Sequence, residues 1–110
     1  ALTDKGEYAE FASPIKMEDS GTGTVTEELQ PNTFYKFREC SSLTITLAAE
    51  KSGILNEYMF EFISGSTPTT LTDIPNIKWQ NGDKLVPEAN CIYQVSIVNN
   101  YAVYAKFPNA

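Results

Sequence analysis

Leu43-Thr44-Ile45-Thr46-Leu47 puts three aliphatic side chains on one side of an extended backbone and two threonines on the other. A helix would scatter the same residues around its circumference, so the run reads as a strand with one face toward a core. The stretches around it repeat the pattern. In Glu57-Tyr58-Met59-Phe60-Glu61-Phe62-Ile63, the residues Tyr58, Phe60 and Phe62 alternate with Glu57, Met59 and Glu61, and the aromatic side is predicted to be the buried one. Tyr93, Val95 and Ile97 alternate with Gln94 and Ser96. After Asn99-Asn100 the chain resumes with Tyr101, Val103, Ala105 and Phe107, so these two runs read as a hairpin. Asn is suited to the loop because it tolerates the positive φ that a type I′ turn needs at both central positions.

Weaker strand patterns lie near Thr24 to Leu29, Thr33 to Phe37, Thr69 to Thr72 and Asn76 to Trp79. Turn signals separate them roughly every eight to twelve positions, the spacing of a sandwich or barrel. Pro31, Gly53, Gly65, Pro68, Pro75, Gly82, Pro87 and Pro108 all fall outside the predicted strands, where a missing donor or a missing side chain does least harm. Helix has little claim: Leu47 to Leu55 is interrupted by Ser52-Gly53 and allows one short helical turn at most. The expected fold is all-β, an antiparallel β-sandwich of jelly-roll-like or Ig-like form with about seven or eight short strands. It should occupy residues 24–110. Residues 1–23 mix charges, small residues and scattered aromatics without a period and are expected to form an extended arm or linker. Two readings of that arm stay open, a free tail or a segment docked on this domain or a neighbour.

A chain of 110 residues fits one domain with one core. Eight Lys and Arg against fourteen Asp and Glu give a net charge of -6, a field that repels phosphate backbones and anionic membranes. Nucleic acid is not an expected partner. No apolar run approaches the roughly 20 residues needed to span a bilayer, so no membrane insertion and a soluble domain are expected. Residue 1 is Ala and no secretory leader pattern opens the chain, which fits a processed or excised fragment. Cys40 and Cys91 stand far apart with no histidine or second thiol near either, so zinc and redox motifs are not indicated. Two free thiols are favoured over a disulfide.

Catalytic signatures are missing. The chain has no histidine, which removes the commonest general base and every Ser-His or Cys-His pair. Glu57 and Glu61 could serve a glycosidase only if brought together, and four residues along a strand separate their backbones by about 13 Å. Glu18-Asp19-Ser20-Gly21 lacks the alternating acids of a calcium loop, and neither phosphate-binding glycine motif is present. No enzyme activity, cofactor or metal is expected. Trp79, followed by Gln80-Asn81-Gly82-Asp83, has two readings: a core residue sharing a face with Ile77, or an aromatic platform for a sugar ring.

Leu29-Gln30-Pro31-Asn32-Thr33-Phe34-Tyr35-Lys36-Phe37, together with the tract from Asn56 through Ile77-Lys78-Trp79 to Asn99-Asn100, resembles a β-rich module at the C-terminal ends of phage and prophage structural proteins. The likeness runs from about Leu29 to Phe107 and spares the arm; the thiols at Cys40 and Cys91 depart from it. The resemblance implies a non-enzymatic virion part, a head or tail fibre or a baseplate component, assembled in the host cytoplasm as a homotrimer with other virion proteins and able to meet a host-surface glycan. Trimer packing would cover apolar residues that alternation leaves on the outer side, namely Met59, Ile63, Ile92, Val98 and Tyr104. The alternative is a carbohydrate-binding module of a bacterial surface or secreted protein, with Trp79, Tyr101 and Tyr104 as ligand contacts.

Overall fold

The computed structural model describes residues 15–18, as backbone, and residues 23–109. Among the described residues nine strands follow one another: β1 (Ile15–Glu18), β2 (Thr24–Leu29), β3 (Thr33–Glu39), β4 (Ser42–Leu47), β5 (Glu57–Ser64), β6 (Thr70–Leu71), β7 (Lys78–Trp79), β8 (Cys91–Val98) and β9 (Tyr101–Pro108). One 3₁₀ turn, Gln80–Gly82, follows β7. The strands form two sheets, six-stranded in the order β1-β3-β5-β8-β9-β7 and three-stranded in the order β2-β4-β6. The chain is therefore an all-β protein of two layers, as the alternating runs predict. Each of the four weaker patterns contains a strand. Within the stretch expected to be an arm, Ile15–Glu18 pairs with β3, while the rest of residues 1–22 lies outside the described residues.

The sense of pairing differs from the antiparallel expectation. β1 with β3, β3 with β5, β2 with β4, β4 with β6 and β7 with β9 are parallel; among the described residues only β5 with β8 and β8 with β9 are antiparallel. The cause lies in the corners. The short links after β2 and β3 look like hairpin loops in sequence, but each carries the chain across to the opposite sheet. Neighbours from β1 to β6 are then alternate strands, which run the same way, and each of their crossovers contains a strand of the other sheet, whereas the β7–β9 crossover contains β8 of the same sheet. At the first corner Asn32 adopts φ 60 and its N–H donates to the Glu57 carbonyl at 2.7 Å. Two further bonds, from Ser41 N–H to the Gly23 carbonyl and from Ala48 N–H to the Leu29 carbonyl, fasten the ends of the β2–β4 ladder.

Alternation delivers the core. Val25, Leu29, Leu43 and Ile45 from the small sheet are buried against Tyr35, Phe37, Tyr58, Phe60, Phe62, Tyr93, Val95 and Ile97 from the large one. Rings run through this layer in succession: Phe37 meets Phe60 edge-on, Phe60 stacks on Phe62, and Phe62 stacks on Tyr93 with centroids 5.4 Å apart. Truncating one of these phenylalanines to Ala costs about 3–5 kcal/mol in cores of this kind. Buried hydroxyls keep partners: Tyr58 donates to the Ala48 carbonyl at 2.6 Å, and Tyr93 accepts the Glu88 N–H at 2.8 Å.

Two local expectations are corrected. Across the Asn99-Asn100 turn Val98 pairs with Tyr101 and Ile97 with Ala102, so residues that share a face change parity between the strands. Tyr104 therefore pairs with Val95 and sits on the core-side face, against the expectation that it lies outside. It remains 38% exposed. Pro108 closes β9 as its last residue, a strand end where its missing donor is tolerated. Between Leu47 and Leu55 the chain turns around Gly53 and forms no helix, within the expected limit of one short helical turn.

Candidate functional site

The outer face of the six-stranded sheet is the face opposite the core, and no described residue packs over it as a second layer. Register fixes its composition. Phe34, Met59, Ser96 and Val103 form one cross-strand row; Lys36, Glu61, Gln94 and Ala105 form the next. Ile63, Ile92 and Phe107 make a third, and Glu57, Val98 and Tyr101 a fourth. A sheet face turned to water normally carries polar residues at these positions. Here Lys36 and Glu39, the latter paired with Ile63, are exposed, and four other polar residues bond to one another: Ser96 Oγ donates to Glu57 Oε2 at 2.6 Å, and Gln94 Nε2 donates to Glu61 Oε1 at 2.9 Å. Both carboxylates singled out in the sequence thus accept bonds from neutral side chains on neighbouring strands.

Met59, Ile63, Ile92 and Val98, predicted to lie outside the core, all share this face and are half-buried by their sheet neighbours. Phe34 and Val103 belong with them. They escape a reading based on single strands because their place beside Met59 is set by pairing between strands distant in sequence. Ser96, with the smallest side chain of its row, leaves a hollow of about 360 Å³ between Phe34, Met59, Val103 and Ala105, with Glu57 at its rim.

The three aromatic residues proposed as ligand contacts are divided by the sheet. Trp79 is half-buried, packs against the edge of the core and meets Tyr104 edge-to-face with centroids 6.2 Å apart. Tyr101, 62% exposed, is on the other face, because it pairs with Val98. Trp79 and Tyr101 nevertheless border one open groove of about 600 Å³ at the β7–β9 edge, with Lys78, Gln80 and Asn81. Its floor is shaped by the turn in which Asn81 and Gly82 take φ 58 and φ 72. The arrangement offers an aromatic surface beside two carboxamides, chemistry that suits a hydroxylated ring.

Cys40 and Cys91 are both free, Cys40 buried and Cys91 half-buried. Burial raises the Cys40 thiol above its ordinary range; the Thr69 hydroxyl beside it opposes that shift, and the Glu39 carboxylate adds to it. Among the described residues no three of His, Cys, Asp and Glu gather in a way that would hold a metal ion.

A second exposed feature went unread in the sequence. In the connection between β4 and β5, Ile54 and Leu55 are 56% and 67% exposed. Their loop is held by side-chain amides on both sides. Asn56 accepts the Lys51 N–H at 2.9 Å and donates to the carbonyls of Lys51 and Ile54 at 2.9 and 3.0 Å. Asn32 donates to the Leu55 carbonyl at 3.0 Å and accepts the Glu57 N–H at 3.1 Å. Comparison of the chain with family models, with curated proteins and with solved structures found no match in any of the three.

Proposed function

We propose that this chain is a non-enzymatic structural module of a phage or prophage virion, part of a head or tail fibre or of a baseplate, that assembles as a homotrimer through the outer face of its six-stranded sheet. The observation that supports assembly is the apolar part of that face, where Phe34, Met59, Val98 and Val103 adjoin, with Ile63 and Ile92 beyond the Lys36–Glu61–Gln94 row, and no described residue packs over them. Contiguous apolar surface of this kind marks an interface in soluble proteins. The virion context rests on the resemblance of the Leu29–Phe37 and Asn56–Asn100 stretches to phage structural modules. Light scattering of the purified chain is expected to give the mass of three copies. Met59→Glu with Ile92→Glu is expected to give monomers with an unchanged far-UV circular dichroism spectrum, since both side chains point away from the core. A wild-type chain that stays monomeric at high concentration sinks the proposal.

The Trp79 groove favours a second reading, a carbohydrate-binding module of a bacterial surface or secreted protein. Binding on a glycan array that Trp79→Ala abolishes, with the fold retained, would support it. Glycan binding by a chain that is also trimeric would join the two readings, with the groove as the contact to a host surface.

A further inference from the structure

Loop tips in small domains usually show polar residues to water, yet this one shows two adjacent aliphatic residues and holds them rigidly. The carbonyls of Lys51, Ile54 and Leu55 each accept a bond from an asparagine side chain, and Gly53 at φ 83 supplies the bend. An apolar display fixed in advance loses little further freedom on binding, which is where association is otherwise most penalised. The β4–β5 connection therefore has the construction of a preformed knob.

Resting on the reading that the outer sheet face is an interface, we infer that its occupant is the Ile54–Leu55 knob of a second copy, seated in the hollow over Ser96. The fit is chemical on three counts. The hollow, about 360 Å³, is walled by Phe34, Met59, Val103 and Ala105, and Ser96 on its floor has its hydroxyl turned to Glu57. Lys51 stands exposed beside the knob, and Glu57 borders the hollow, so opposite charges meet at the rim. Knob and hollow are different patches of the same chain, so the contact can repeat head-to-tail, as a trimer requires, instead of reciprocating about a two-fold axis. Such a contact closes a ring when its rotation divides the circle and grows a filament when it does not. A rotation of about 120° gives the trimer.

A mixing experiment tests this. The knob is removed in Ile54→Asp with Leu55→Asp, and the hollow is filled in Ser96→Tyr or spoiled in Val103→Glu; all four positions lie outside the core, and circular dichroism verifies each fold. Each variant alone is expected to be monomeric by light scattering. Mixed in equal amounts, the knob variant and a hollow variant retain one intact knob and one intact hollow between them, so the mixture is expected to form a complex of two copies and nothing larger. Assembly lost with Ser96→Tyr but kept when the knob is removed overturns the knob and leaves the sheet face as interface. Assembly kept in every variant overturns both, and two monomeric variants that fail to combine overturn the head-to-tail contact.

Discussion

Asn32, Asn76, Asn81, Asn90, Asn99 and Asn100 take positive φ, and among the described residues no other non-glycine does. Asparagine is the residue with a side chain that visits this region most readily, because its amide bonds to nearby backbone. Asn56 is different: it is buried, and its three hydrogen bonds are the frame of the Lys51–Leu55 loop. Asn56→Ala is expected to lower stability in urea titration by about 2–3 kcal/mol, from lost bonds and partners left without water. Asn32→Gly keeps the backbone conformation but loses both side-chain bonds, so it should cost less than Asn32→Ala, which loses both. Titration gives a third expectation. Burial pushes the ionisation of Cys40, Tyr58 and Tyr93 to higher pH, so the folded chain holds these protons more tightly than the unfolded chain does. That stability is complete below the unfolded values and is lost as pH rises from about 8.5, where a free thiol ionises, through the tyrosine range near 10. The unfolding midpoint should fall over this window, and Cys40→Ser should remove the earliest part of the fall.

At the scale of elements, the β8–β9 hairpin turns on Asn99 and Asn100 at φ 53 and φ 66. Asn100→Gly matches the turn better and is expected to raise stability in urea titration by a few tenths of a kcal/mol to about 1 kcal/mol. Asn100→Val should lower stability by about 1–3 kcal/mol, since a branched side chain resists positive φ. The hairpin was legible because two alternating runs flank a two-residue turn. Its facing was misjudged from alternation: a two-residue loop pairs residue 98 with 101 and so puts Tyr101, not Tyr104, on the outer face. The parallel pairings were not legible either. Alternation in β2, β3 and β4 is the same whichever way a neighbour runs, and the links at 30–32 and 40–41 have the length of hairpin loops. What decides their course is the Asn32 to Glu57 bonding, between residues whose proximity no local pattern records. The same applies to the hollow over Ser96, whose walls come from β3, β5, β8 and β9.

For the whole molecule, this topology governs how the fold is reached. Thr24 pairs with Ser42, Ser42 with Thr70, and Phe34 with Met59, so each parallel contact closes a long loop before it gains any ladder. The β8–β9 hairpin closes over two residues. Chains dominated by distant pairings refold in roughly milliseconds to seconds, and a single chain of this kind should do so. The hairpin with β5 is the cheapest three-stranded unit to assemble, and the β2 strand at the edge of the small sheet adds to it later. Val95→Ala, in the buried face of β8, is therefore expected to slow refolding in stopped-flow measurements while changing unfolding little. Val25→Ala, buried in β2, is expected to do the reverse, speeding unfolding with refolding near that of the parent. Both should be measured in a background carrying Met59→Glu and Ile92→Glu, so that association does not enter the rates. The opposite pattern, a slower refolding from Val25→Ala alone, would place the nucleus in the parallel layers and contradict this order.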